Sequence, residues 1–127
     1  MKREILALTI LLVLDLIWIG VYMSGRYRDM IPNIQGSKMT VVTGYAVISY
    51  ALMAIGLLLF VLPRVRSEHC FRDSLLYGFT FGVVLYGVYD FTAAAVLKNW
   101  NMSLAVQDIL WGGFVYATAA YIACKLA

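Results

Sequence analysis

Three aspartates, Asp15, Asp90 and Asp108, stand inside stretches of chain that are otherwise apolar and of membrane-crossing length. A charged group at the centre of a spanning helix costs roughly 2.5–3.5 kcal/mol on insertion scales. Acids in such places are rare, face the interior of a helix bundle, and mark binding sites or proton paths. Two of them open a repeated phrase. Asp15-Leu16-Ile17-Trp18-Ile19-Gly20 and Asp108-Ile109-Leu110-Trp111-Gly112-Gly113 both read Asp, two aliphatics, Trp, one residue, Gly. A residue three positions on shares the acid's helix face, and an aromatic ring beside a carboxylate can cradle a cation. This pattern suits the holding of a proton, a cation or a small polar molecule. The competing reading is structural: each carboxylate accepts hydrogen bonds from an indole, a tyrosine or Lys98 and so fixes helix packing. Interhelical polar contacts in membranes average only about 0.6 kcal/mol, a small gain for burying three acids.

The elements that must position these groups follow from length and composition. The chain has 127 residues, 63% hydrophobic and 13% charged. A soluble domain of this size has too little interior for so much apolar side chain, so the bilayer is the solvent. At about 20 residues per span, four helices use up the chain as a single transmembrane domain. The expected spans are residues 5–23, 40–62, 74–97 and 103–124. The start, Met1-Lys2-Arg3-Glu4, resembles a secretory signal, but the apolar run is long, contains Asp15 and is followed by no Ala-x-Ala site, so it reads as a retained first helix. The connection from Ser24 to Lys38 is polar, and Pro32 and Gly36 are expected to break any helix there. Cys70 and Cys124 imply no disulfide framework. With no zinc-ligand spacing, phosphate loop, dinucleotide fingerprint or Ser-His-Asp set, no metal and no cofactor are expected. The net charge of +3 is small and scattered, which argues against nucleic acid and for basic flanks near lipid head groups.

Orientation rests on six basic residues (Lys2, Arg3, Arg64, Arg66, Arg72, Lys125) at the end that carries both termini, against four (Arg26, Arg28, Lys38, Lys98) at the other. The positive-inside rule then favours both termini in the cytoplasm, with an antiparallel, dual-topology dimer as the alternative.

Helical spacing turns all three acids inward. Gly78, Gly82, Tyr86, Asp90 and Ala94 form one stripe, whose Gly-x-x-x-Gly start admits a close neighbour. Asp108 shares a face with Trp111, Gly112, Tyr116 and Ala119; Asp15 shares one with Trp18, Ile19 and Tyr22. At 1.5 Å per residue, Asp15, Asp90 and Asp108 lie roughly 12, 10 and 8 Å from the same membrane face. They are expected to converge on one cavity there, shaped by Trp18, Trp111, Tyr22 and Tyr86, with Asp90 the key group. Lys98 is a snorkelling flank residue or a partner for Asp90. Tyr27, Trp100 and Tyr45 suit an interfacial belt, and the second helix suits broad lipid contact.

The block Tyr89-Asp90-Phe91-Thr92, Leu97-Lys98-Asn99-Trp100 and Asp108-Ile109-Leu110-Trp111-Gly112, with the helix 1 phrase, resembles the signature of domain-of-unknown-function family 2177. The resemblance covers essentially the whole chain and implies a four-helix bacterial inner-membrane protein. Ala93 stands where that signature has Asn, which removes a polar group near Asp90. The phrase shared by oppositely directed helices 1 and 4 also hints at the inverted pseudo-repeat of transporter folds.

The sequence thus supports an all-α, four-helix membrane bundle that binds or transports a proton, cation or small polar molecule, with membrane lipids and a possible homodimer as partners. The alternatives are a membrane enzyme using paired aspartates on a lipid or isoprenoid, and an accessory subunit of a membrane complex.

Overall fold

The computed structural model describes residues 2–37 and 42–127. Its framework is four helices, α1 Lys2–Gln35, α2 Thr43–Arg64, α3 Ser67–Val96 and α4 Met102–Leu126, each long and apolar enough to cross a membrane. No strand occurs among the described residues. Lys38 and the expected start of α2 at Thr40 lie outside them.

Helix α4 is the hub. Asn101 starts it by accepting a hydrogen bond from the Leu104 amide at 3.2 Å, which satisfies one of the donors a helix start leaves open. Its buried side includes Gly112, Gly113, Ala119, Ala120 and Ala123. Small residues let neighbouring backbones approach closely, which is how helices associate without a hydrophobic driving force in lipid. The approach is closest at Gly82 of α3, where an added Cβ would lie 2.0 Å from the Gly112 carbonyl oxygen. Helix α1 packs on α4 from another side, burying Ala7, Leu11 and Asp15. Helix α2 is the peripheral member. It buries only the stretch around Gly56, Leu57 and Val61 and leaves Tyr45, Val47, Ile48, Leu52, Leu59 and Phe60 exposed. A Cβ on Gly56 would lie 2.5 Å from the Phe81 ring, so α2 and α3 meet there. Tyr116 of α4 anchors α2 by donating its hydroxyl to the Met53 carbonyl at 2.8 Å.

Two features correct the sequence-based reading. The segment after Met23 is not a loop: through a π-helical turn, Trp18–Met23, α1 runs on as Ser24–Gln35. Pro32 sits within its last turns, where losing one backbone donor does not stop the helix. The helix ends at Gly36, whose φ of +77° is the left-handed geometry that glycine adopts without a Cβ penalty. The extension is held because Met23, Tyr27, Met30, Ile31 and Ile34 form an apolar stripe, packed with Leu104, Trp18 and Trp100. It therefore closes over the start of α4.

The second correction concerns the cysteines. Cys70 at the start of α3 and Cys124 at the end of α4 form a disulfide, with Cα atoms 5.8 Å apart. Beside it the α2–α3 turn is tied down by buried Asp73, which accepts from the Arg66 amide at 3.0 Å and pairs with Arg66 and Arg72. Arg3 donates to the Val65 carbonyl at 2.8 Å. A disulfide persists in an oxidising compartment, the opposite of the side that the basic-residue count favours for this end; in a reducing cytoplasm the same pair stands as two thiols.

Two outcomes follow. Gly82→Ala is expected to lower unfolding stability in detergent by about 3 kcal/mol, the upper range for overpacking, whereas Gly20→Ala, with nothing within 4 Å of its Cβ position, leaves it unchanged or slightly higher. Across the sequence separation of 54 residues, chain entropy gives the disulfide about 4 kcal/mol. Reductant should therefore lower wild-type stability and leave a Cys70→Ser/Cys124→Ser protein unaffected.

Candidate functional site

The glycine crossing sets the geometry around the acids. With Gly112 lacking a side chain, the Tyr86 ring lies across it; a Cβ there would be 2.4 Å from the ring. From that position the Tyr86 hydroxyl donates to Asp15 Oδ1 at 2.8 Å, and Trp111 Nε1 donates to the same oxygen at 3.2 Å. Asp15 is thus held by α3 and α4 together. Asp108 lies beside Asp90 and Trp18. Asp90 faces Asp108 and Trp100, yet both its carboxylate oxygens are buried with no partner in hydrogen-bonding geometry. Asp15, Asp90 and Asp108 are 2%, 1% and 7% exposed, so all three residues are buried in the bundle. Ala93, one turn beyond Asp90 and also buried, offers only a methyl group.

The two copies of the repeated phrase are interlocked. Trp18 and Trp111 stack with ring centroids 4.7 Å apart and planes 7° from parallel. Trp111 serves the acid of the other phrase, Asp15, and Trp18 lies against the other acid, Asp108. Its indole nitrogen is buried without a hydrogen-bond partner. The stack continues to Tyr22, 4.5 Å from Trp18. The Tyr22 hydroxyl donates to Gln107, and the Arg26 guanidinium covers its ring at 3.7 Å.

In front of the acids is a cavity of about 420 Å³ to which all four helices contribute. Asp15 and Asp108 are on its wall, together with Tyr27, Tyr50, Tyr86 and Tyr89. No Lys or Arg is among its described lining residues. A pocket of this size suits a small molecule.

Of the side chains named from sequence, Asp15, Asp108 and Tyr86 line the cavity. Trp18, Trp111 and Tyr22 form the stack beside it. Asp90 is not on the wall but behind it, against Asp108. Lys98 is not brought to the acids: it is exposed in the turn between α3 and α4. Tyr27 and Trp100, expected at the interface, contact each other with centroids 6.4 Å apart, and Tyr27 also lines the cavity. The sequence reading missed Tyr50 and Ser49, because α2 looked like a plain lipid-facing span. Ala46, Ser49, Tyr50 and Met53 are all on the wall, and their spacing of three and four was the available signal.

Four spanning helices around buried acids and stacked aromatics define a small polytopic membrane protein. The chain belongs to the DUF2177 family of predicted membrane proteins, whose family model matches residues 2–125. No curated protein and no solved structure matches it.

The contrast between Asp15 and Asp90 is directly testable by chemical unfolding in detergent. Asp15→Ala leaves two donors without an acceptor and should cost about 1–3 kcal/mol. Asp90→Asn replaces a buried carboxyl group that receives no hydrogen bond from a described donor and should leave stability unchanged or raise it. The reverse order would make Asp90 scaffold.

Proposed function

We propose that this chain is a small membrane protein that binds a cation in its acidic, tyrosine-lined cavity, in exchange with a proton held between Asp90 and Asp108. The observation that carries this reading is the Asp90 carboxylate, buried beside Asp108 with neither oxygen receiving a hydrogen bond from a protein donor among the described residues. Two adjacent carboxylates away from water need positive charge between or beside them, and the described cavity wall supplies none from the protein. A proton satisfies the inner pair. A larger cation satisfies Asp15 and Asp108 on the wall. Asp108 belongs to both groupings, so the two occupants compete for it, and that competition is the elementary step of proton–cation exchange.

The size and lining of the cavity favour an organic cation over a metal ion. Among the described residues no three His, Cys or acidic side chains gather as metal ligands. The four tyrosines on the wall supply aromatic rings, a group that attracts ammonium ions by about 0.5–2 kcal/mol each when its face is presented.

Tetraethylammonium titrated into purified protein in weakly buffered detergent should bind saturably and release protons. Asp15→Asn and Asp108→Asn should each weaken binding at least tenfold, Asp90→Asn should abolish the proton release, and Lys98→Ala should change neither. Binding that ignores both wall aspartates would overturn the reading.

A further inference from the structure

Beside the acidic cavity is a second one of about 370 Å³, lined by Phe81, Val84, Leu85, Val88 and Tyr89. These residues recur at intervals of three and four, so they make one stripe along α3. Leu85 and Tyr89 also line the acidic cavity, so the two spaces adjoin. The stripe is open to the surroundings: Val84 is 57% and Val88 64% exposed. Helix α2 meets α3 at Gly56 and Phe81, and Leu52 of α2 and Leu85 of α3 both line the acidic cavity.

We infer that the occupant is an amphiphilic cation with a single hydrocarbon tail, its head among Asp15, Asp108 and the tyrosines and its tail along the Phe81–Val84–Leu85–Val88 stripe. This rests on the cation-binding reading above and specifies its ligand. Charge complementarity selects the head. The tail follows from direction: from Tyr89 to Phe81 the stripe runs roughly 12 Å along the helix, away from the α3–α4 turn and toward the middle of the spans. A membrane amphiphile lies the same way, head near one face and tail toward the midplane. A phospholipid fits poorly, because its phosphate would meet two carboxylates and no basic side chain among the described lining residues. One stripe on one helix accommodates one tail.

The test compares tetramethylammonium with octyltrimethylammonium, each binding to the full chain in phosphatidylglycerol nanodiscs. The proteins are wild type, Val84→Trp/Val88→Trp and Asp15→Asn/Asp108→Asn. Both valines are exposed, so the tryptophans fill the stripe without entering the core. Partition of the octyl chain into lipid is common to all three proteins and cancels in the comparison. The expected result is that the tryptophan variant binds octyltrimethylammonium at least tenfold more weakly than wild type does and tetramethylammonium within twofold of it. The aspartate variant should lose at least tenfold for both. If the tryptophans leave octyl binding unchanged while the aspartate effect persists, the tail assignment is wrong and the cation site stands. If neither compound binds wild type, both readings fall. Displacement of octyltrimethylammonium on changing to phosphatidylethanolamine nanodiscs would give the site to an aminolipid and overturn the assignment to a free amphiphile.

Discussion

The close crossing of α3 and α4 is the constraint on which the rest of the site depends. Gly82 and the Gly112 carbonyl leave no room for a single carbon between the two backbones. That contact places Asp90, two turns further along α3, beside Asp108, one turn before Gly112 on α4. It also lets the Tyr86 ring pass over Gly112 to reach Asp15 on α1. Helix packing in lipid gains from van der Waals contact rather than from hiding apolar surface. Close contact between backbones is therefore both the adhesive and the device that collects polar side chains.

The repeated Asp-x-x-Trp phrase becomes intelligible once α1 and α4 are side by side. Running in opposite directions, each presents its tryptophan to the other's acid, and the two indoles stack between them. The exchange is unequal. Trp111 makes a hydrogen bond to Asp15, whereas the Trp18 nitrogen has no partner. The glycines differ too: Gly113 would press a Cβ against Phe79 and Val83, while Gly20 faces open space. The looser tryptophan, Trp18, lies against Asp108, which in turn neighbours Asp90, the acid without a hydrogen-bonding partner. A binding site needs groups whose demands the fold itself leaves unmet, since a ligand can gain only where the protein has not already satisfied itself.

Much of this was legible in the residues. The helix count followed from hydropathy and length, and the inward aim of the acids from spacings of three and four. Their convergence in one region of the bundle followed from the alternation of helix direction. The miss at Ser24–Gln35 came from weighing composition and Pro32 above spacing: the stripe Met23, Tyr27, Met30, Ile31, Ile34 has a helical period. The role of α2 was missed for a related reason, since Ser49 and Tyr50 are mild polar interruptions in an otherwise apolar span.

What the sequence determined by itself is periodic and local: four apolar segments and the face of each helix that carries an acid. Tertiary structure decided which faces meet. Nothing local pairs Cys70 with Cys124, because 54 residues separate them and only the antiparallel packing of α3 and α4 brings their Cα atoms within 5.8 Å. Nor does anything local say that Asp15 is satisfied and Asp90 is not. That difference comes from relative helix rotation and translation, which depend on the sum of many side-chain contacts between elements far apart in the chain, and a single helix carries no record of that sum.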